Sequence, residues 1–293
     1  MLDPRRLRLL IALESLGTVR AVASAASMSP SAVSQQLAVL ERESGVALLE
    51  RHGRAVALTD AGRTLAVHAR AILERIGVAE EDLRALRDAP AGTVRIASFT
   101  SAMRAFVITA AATVGRTHPG IAVQLAELEP DDCVPALTRG EVDLAVVADF
   151  GDGTLPHAPH LRSVPLAHDE LKAVLPPGHP FDSGDLRCLE HDLWLLDGTE
   201  LERHLLRRCR HAGFEPRVAG RLFSHEALLY AVRSGLGVTV LPTFALDRAE
   251  GVEVRSIEPD ARRELVVLHR EEALDRRSVA LTLDVLVAAA RAV

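Results

Sequence analysis

Apolar residues in the first sixty positions recur at helical spacing between clear start and stop signals. Asp3-Pro4 and Ser29-Pro30 each place a capping side chain before a proline, and Gly17 and Gly45 follow the last apolar positions of two segments. Thr18 precedes a run of small residues between them. The pattern predicts three helices, the second and third joined by a tight turn.

A tight turn before a third helix is typical of a helix-turn-helix, in which that helix enters the major groove of DNA. Its predicted outward face carries hydroxyl and amide groups, which suit base edges and phosphates. Any small three-helix domain with a polar outer face shows the same pattern, so the residues alone leave both interpretations open. The predicted DNA contacts up to this helix are Thr18, Ser29, Pro30, Ser31, Ser34 and Gln35.

Residues 46–58 follow the third helix and carry Arg51 and Arg54 on either side of His52-Gly53. This spacing fits a short β-hairpin, the wing of a winged helix-turn-helix. Arginines at a wing tip reach phosphates or the minor groove. We therefore add Arg51 and Arg54 to the predicted DNA contacts.

A long amphipathic segment from Thr59 to about Arg87 shows apolar residues at alternating spacings of four and three. A sustained period of 3.5 residues is the signature of a coiled-coil seam. A helix buried against its own domain is the alternative, although such helices show a broader stripe. The predicted dimerisation residues are Leu65, Ala69, Ile72, Ile76, Ala79, Leu83 and Leu86.

Residues 88–92 break this helix, and strand and helix patterns alternate beyond them. Such alternation predicts an α/β domain with a parallel sheet covered by helices. Trp194 lies in an apolar run that indicates a core strand. The predicted strands are 93–98, 121–127, 142–148, 171–175, 237–241 and 264–268, and the predicted helices are 101–116, 131–139, 199–212, 224–234 and one from about 273.

Net charge is −6 for the 293 residues, which does not by itself indicate a nucleic-acid partner. Residues 1–90 hold 12 Arg against 11 Asp and Glu, and the remainder is acidic. This asymmetry has the right direction for a DNA-binding N-terminus but is weak evidence by itself.

Other features indicate a cytoplasmic protein without a metal or cofactor. No apolar run is long enough to span a membrane, and the N-terminus lacks a signal peptide. Cys133, Cys188 and Cys209 are widely spaced, so we interpret them as reduced thiols without fixing whether one is redox-active. We interpret His157 and His160, which flank Pro159, as a surface loop rather than a metal pair.

Several ordered motifs resemble the LysR-type transcriptional regulators. In the N-terminal half these are Gly17-Thr18 through Leu40-Glu41, then residues 45–51 with Arg54, then residues 58–62; residues 231–242 are similar to a motif of the effector domain. The similarity covers essentially the whole chain. Gln35 and Leu49 depart from it, where many relatives carry arginine and phenylalanine.

The resemblance implies an N-terminal winged helix-turn-helix (1–59), a linker helix (60–89) that pairs two subunits, and an α/β effector domain (90–293). That domain has two lobes, as in periplasmic binding proteins: lobe I at about 92–162 and 267–293, lobe II at about 163–266. The implied partners are operator DNA, a small effector, further copies of the chain as a dimer or tetramer, and RNA polymerase if the regulator activates.

A carboxylate-bearing effector between the lobes is the remaining expectation. A loop that leaves a strand and opens a helix offers hydroxyls and free backbone N–H groups, which favour an anion. A second helix start contributes polar groups from the other lobe. The predicted effector residues are Ser98, Phe99, Thr100, Ser101, Ser224 and His225.

Two other classes of protein share this α/β architecture. An enzyme is disfavoured because no GxSxG, phosphate-loop or HExxH motif occurs. A solute-binding transport component is disfavoured by the fused DNA-binding segment and the missing signal peptide.

Overall fold

The fold is given by a computed structural model. It describes residues 2–52, 55–85, 90–151, 161–181, 184–247, 249–257 and 261–293.

The N-terminal domain consists of three helices, a hairpin and a long helix. The predicted caps form: Asp3 accepts a hydrogen bond from the backbone N–H of Arg5 at 2.8 Å, and Gly17 and Gly45 end helices with φ of +70° and +72°. The elements are α1 (Pro4–Leu16), α2 (Val19–Ala25), α3 (Pro30–Ser44), β1 (Leu49–His52), β2 (Ala55–Leu58) and α4 (Asp60–Ala85).

One hydrophobic core joins these elements. Leu10 of α1, Val33 and Leu37 of α3, and Ala66 and Ala69 of α4 are all buried in it. The first half of α4 is therefore part of the DNA-binding domain, because its small residues let α1 pack closely against it.

The C-terminal domain contains a seven-stranded sheet and a separate two-stranded sheet. The seven strands have the order β10-β6-β11-β5-β3-β4, with β9 also pairing with β6, and β7 pairs with β8. The strands are β3 (Gly92–Ser98), β4 (Ile121–Glu127), β5 (Leu144–Asp149), β6 (Leu161–Leu175), β7 (Leu193–Leu196), β8 (Arg217–Arg221), β9 (Thr239–Pro242), β10 (Glu253–Ser256) and β11 (Arg262–Arg270).

The predicted parallel pairing is present in one part of the large sheet, and the sheet as a whole is mixed. β3 is parallel to β4 and β5, whereas β11 is antiparallel to both β5 and β6. Strand β6 also begins ten residues earlier than the predicted 171–175. Its first part, residues 161–170, mixes polar and apolar residues without a regular period, contains Pro165 and lacks the continuous apolar run that marked the predicted strand.

Two lobes share β6 and β11. Lobe I holds β3–β5 and covering helices on both faces, and lobe II holds β7–β10 and two helices. The lobe I helices are α5 (Thr100–Ala102), a π-helical turn (Met103–Val107), α6 (Ile108–Thr117), α7 (Pro130–Thr138) and α10 (Arg277–Ala290); those of lobe II are α8 (Glu200–His211) and α9 (His225–Arg233).

The lobe II elements agree with the sequence in part. Trp194 lies in β7 and is fully buried, which confirms the predicted core strand. The short strands β8 and β10 were missed because both are rich in charged residues and are partly exposed.

Candidate DNA-binding face and effector cleft

Helix α3 has one buried face and one exposed polar face. Val33, Leu37 and Leu40 are buried in the domain core, whereas Ser31, Ser34 and Gln35 are exposed. The next residue, Gln36, faces inward, and its side-chain oxygen accepts a hydrogen bond from Arg6 Nε at 3.0 Å. Polar groups able to bind base edges therefore stand on the surface of the helix, while its other side chains fix it to the domain.

Thr18, Ser29 and Pro30 stabilise the starts of helices α2 and α3. Thr18 Oγ1 accepts from the N–H of Ala21 at 3.2 Å, and Ser29 Oγ accepts from the N–H of Ala32 at 3.1 Å. Pro30 occupies the first turn of α3. These residues orient α2 and α3, and direct contact with DNA stays a prediction for each of them.

The hairpin is tied to α3 by a side chain that sequence reasoning missed. One carboxylate oxygen of Glu41 accepts from the N–H groups of Leu48 and Leu49 at 2.9 and 3.0 Å. Thr59, the residue before α4, donates to the carbonyl of Ala47 at 2.8 Å and accepts from the N–H of Gly62 at 3.0 Å. The sequence does not predict this role of Glu41, because its partners are backbone groups beyond the end of α3.

The structure describes one of the two predicted wing arginines. Arg51 is in β1, while Arg54 lies outside the described residues. Their contact with DNA stays a prediction.

The predicted seam of α4 divides along the helix. Ala69 is fully buried within its own chain and offers no surface to a second chain, which corrects its place in the seam. Leu65 packs against the same core. Further along, Ile76 is half-buried, and Ile72, Ala79 and Leu83 are exposed; Leu86 lies outside the described residues. Only the second half of the predicted seam is available for pairing.

The cleft between the lobes brings several of the predicted effector residues together. Phe99, Thr100 and Ser101 of lobe I face His225 of lobe II across it. The cleft is narrow, with a volume of about 40 Å³, which holds little more than a few water molecules. The other residues that line it are Glu129, Pro130, Ala148, Phe150, Asp197, Thr199, Glu200, Leu201, Phe223, Pro242 and Arg263.

The hydroxyl groups of residues 98–101 already have hydrogen-bond partners within the protein. Ser98 is fully buried and donates to the carbonyl of Phe99, so it does not reach the cleft. Thr100 donates to the carboxylate of Glu127, and Ser101 accepts from Arg263. These hydroxyls are engaged because charged side chains from distant segments pack against them.

Ser224 also falls outside the residues that line the cleft. Its hydroxyl accepts from the N–H of Ala227 at 3.4 Å and caps α9. The following residue, His225, does line the cleft, and burial lowers the pKa of its imidazole, so the ring stays neutral at neutral pH.

A buried ion pair that the sequence did not reveal forms the floor of the cleft. Nη2 of Arg263 lies 2.7 Å from Oδ2 of Asp169 and 2.7 Å from the hydroxyl of Ser101. Its guanidinium stands 4.8 Å from the ring centre of Phe99. The two partners occupy directly paired positions of β11 and β6, ninety-four residues apart, so no local motif signals them.

Acidic groups line the cleft beside this floor. Asp197 is buried and accepts from the N–H and hydroxyl of Thr199 at 3.1 and 2.7 Å. Partial removal from water raises the pKa of Glu129, and the negative charges of Asp197 and Glu127 raise it further. The cleft thus combines acidic groups with a buried guanidinium, which the expectation of a simple anion site did not include.

Two helices of lobe I begin at the cleft without a side-chain cap. Phe99 precedes α5 and Glu129 precedes α7, and neither side chain accepts a hydrogen bond from its helix. By contrast, Thr199 and Ser224 cap the two helices of lobe II. Uncapped first-turn N–H groups carry partial positive charge and are available to an anionic group.

Two other kinds of feature do not occur in the part of the chain that the structure describes. Within the described ranges, no helix is long and apolar enough to cross a membrane. The same part of the chain contains no group of three or more His, Cys, Asp or Glu side chains placed to hold a metal. His157 and His160 lie outside the described residues.

Both halves of the chain match models of known protein families. The family model described as the LysR substrate binding domain matches residues 87–291, and that of the bacterial regulatory helix-turn-helix protein, lysR family, matches residues 4–63. The chain belongs to the LysR family. It is a transcriptional regulator with a DNA-binding helix-turn-helix and an effector-binding domain, and it is not an enzyme.

Relatives and structures extend this likeness over most of the chain. The chain is 29% identical over 223 residues to the transcriptional dual regulator GltC of Bacillus subtilis, covering 73% of each chain. It is 26% identical over 275 residues to the hydrogen peroxide-inducible genes activator of Pectobacterium carotovorum, covering 91% of this chain and 89% of that one. A full-length OxyR variant from Pseudomonas aeruginosa shares the fold, with a TM-score of 0.73 at 23% identity over 98% of both chains.

Proposed function

We propose that this regulator recognises its operator through Ser31, Ser34 and Gln35 of α3. The observation that carries the proposal is the division of α3 into a buried apolar face and an exposed face that ends in hydroxyl and amide groups. Glutamine can form two hydrogen bonds to adenine in the major groove. Arg51 and Arg54 then add phosphate or minor-groove contacts from the wing.

Two subunits pair through the second half of α4, as the exposed Ile72 and Leu83 support. Pairing places two reading helices on half-sites one or more helical turns apart. Light scattering on Ile72→Asp tests this, because a charge in the seam loses water without gaining a partner. Val67→Asp is the matched control, since Val67 is 60% exposed but lies on the opposite side of α4 from the seam.

The expected result is a smaller assembly for Ile72→Asp and an unchanged one for Val67→Asp. An assembly of parental size in both variants would remove α4 from the interface. Where the regulator activates transcription, RNA polymerase is a further partner.

The effector binds in the cleft and carries a carboxylate that faces the start of α5. Support comes from the uncapped N–H groups there and from the guanidinium of Arg263 directly behind Ser101. Because Glu129 and Asp197 line the same cleft, the effector also carries a cationic group, as an amino acid does. A molecule with both charges matches the chemistry of the cleft better than a simple anion, and the lobes must part to admit it because the cleft holds only about 40 Å³.

A calorimetric screen with matched ligands tests both charges. Each amino acid is compared with its amide, which lacks the acid, and with the corresponding acid that lacks the amine. Binding by a full amino acid, with loss of affinity in both analogues, is expected.

Variants identify the end of the cleft that each charge uses. Asp197→Asn is expected to weaken binding of the amino acid but not binding of the deaminated acid. Equal binding of an amino acid and its amide would overturn the carboxylate proposal, and equal binding of the amino acid and the deaminated acid would overturn the cationic group.

A further inference from the structure

Strand β11 runs from the effector cleft to the linker helix. Arg263 lies near its beginning, on the floor of the cleft, and Arg270 is its last residue. Arg270 lies seven positions after Arg263 along the strand, a span of about 23 Å at roughly 3.3 Å per residue. Both arginines are buried, and each forms an ion pair with a different part of the molecule.

At the cleft end, the ion pair of Arg263 joins the two lobes. Its guanidinium holds Ser101 of lobe I, while its partner Asp169 accepts from the backbone N–H of Phe244 in lobe II at 3.1 Å. A change in the distance between the lobes must therefore disturb contacts of this pair.

At the other end, Arg270 clamps the strand to α4. Its Nε and Nη2 lie 3.2 and 3.1 Å from the two carboxylate oxygens of Glu74, and its Nη1 donates to the carbonyls of Leu137 and Val142. Such two-pronged pairing fixes orientation as well as distance. The side chains of Arg270 and Glu74 are only 10% and 9% exposed, so solvent screens the pair little.

The surroundings of β11 differ along its length. The pairing with β6 shifts register between Leu265 and Val266, so an irregularity divides the cleft end from the segment that leads to α4. Beside that segment, an open groove of about 760 Å³ lies between lobe I and helices α4 and α1, with Glu74 and Arg270 on its wall. Because this contact is not close-packed, α4 has room to shift against lobe I.

We propose that β11 transmits the state of the cleft to the linker helix, with Arg263 as the sensing end and the Arg270–Glu74 pair as the connection to α4. Effector binding changes the lobe contacts of Arg263, and the pair delivers that change to the helix that sets the spacing of the DNA-binding domains. The proposal rests on the proposed function only in taking the cleft as the effector site.

A double-mutant cycle in the full-length protein tests this link without DNA or effector. Ser101→Ala removes a contact of Arg263 at the cleft, and Glu74→Gln removes the charge that holds Arg270. Hydrogen exchange of backbone amides is measured in peptides that cover residues 66–80. Asp275→Asn is the matched control, because the Arg75–Asp275 pair also joins α4 to the effector domain but is exposed.

The two substitutions are far apart and share no partner. If they act independently, the exchange rate of the double variant should equal the product of the two single effects to within about twofold. We expect Ser101→Ala to change exchange in α4 by about threefold or more in the parent and in Asp275→Asn, but by less than about twofold in Glu74→Gln. Phe99→Leu, which alters the ring under Arg263, replaces Ser101→Ala if that variant does not fold.

No response of α4 to the cleft variant, or an equal response with and without Glu74, would overturn the proposal. Either result leaves the ligand screen and the operator experiments unaffected, so failure of this link and failure of the proposed function are distinguishable.

Discussion

The DNA-binding face and the effector cleft are built from contacts of very different range. At the starts of α2 and α3, each side-chain cap joins residues three positions apart; for example, Ser29 Oγ accepts from the N–H of Ala32. In the cleft, the bond between Arg263 and Ser101 spans 162 residues. The first region is organised by local sequence and presents exposed side chains, whereas the second depends on a buried ion pair that only the completed fold assembles.

Loss of stability should be greatest at the cleft. Asp169→Ala leaves the buried guanidinium of Arg263 without its partner, and breaking such a pair costs about 3–5 kcal/mol. Urea unfolding followed by the fluorescence of Trp194, the one tryptophan in the chain, reports on lobe II. Asp275→Ala breaks an exposed pair instead and is expected to cost about 0–1 kcal/mol. Equal losses in both variants would remove the distinction between buried and exposed pairs.

The next effect falls where the DNA-binding domain depends on close packing. A Cβ at Gly62 would stand 2.2 Å from the carbonyl oxygen of Leu48, a backbone atom that cannot turn aside. Gly62→Ala is therefore expected to destabilise this domain by about 1–3 kcal/mol. Helical circular dichroism should show an earlier transition while the fluorescence of Trp194 keeps its midpoint. A matching shift of both signals would mean that the two regions unfold together.

Substitutions on the exposed face of α3, called the reading face, are expected to weaken DNA binding and to leave stability unchanged. Gln35→Ala should cost about 1–3 kcal/mol of discrimination at one base pair without changing the unfolding midpoint. Gln36→Ala is the matched control, because that side chain binds Arg6 and should affect stability rather than base preference. The measurement is affinity for DNA fragments selected by the parent protein. Unchanged base preference in Gln35→Ala would exclude Gln35 from the reading face.

A smaller effect concerns pH and the acidic groups of the cleft. The pKa of Glu129 is raised, so the folded protein holds this proton more tightly than the unfolded chain does. The stability that protonation contributes is full below about pH 4 and is lost as pH rises through the raised pKa. Glu129→Gln should therefore raise the melting temperature at neutral pH, with the difference disappearing in acid.

Glu170→Gln is the control of opposite sign, because a hydrogen bond from Lys172 lowers the pKa of Glu170. Its effect on the melting temperature should be a decrease at neutral pH. An increase in both variants would show that removal of negative charge in general, rather than the cleft, is responsible.

The smallest expected effect is that of peroxide. Burial raises the pKa of Cys133 to about 12 and that of Cys209 to about 11, so neither is a reactive thiolate at neutral pH. Mass spectrometry after brief peroxide treatment should find both unmodified, with Cys188, which is exposed, reacting first. Unlike a peroxide-dependent regulator, this protein should keep its operator affinity. Early oxidation of Cys133 or Cys209 would contradict the prediction.

The same difference in sequence separation decides which parts of the structure the sequence predicts. Asp3, Ser29 and Thr59 act within one helical turn, so they predict the first helices and the start of α4 closely. Thr100 and Ser101 were found by the same local logic, but the partners of their hydroxyl groups come from other segments. Arg263 and Asp169 carry no local signal, because their pairing depends on the register of β6 and β11.

The two halves also differ in when each can be completed during synthesis. Helix α10 packs against α6 and β3, so lobe I takes its last element from the C-terminal end of the chain. Lobe II is inserted between the parts of lobe I. The DNA-binding domain, by contrast, uses only residues from its own short stretch and can fold on the ribosome early. A nascent chain therefore carries a folded DNA-binding domain while lobe I still lacks α10. Premature termination would release a DNA-binding domain without a complete effector domain.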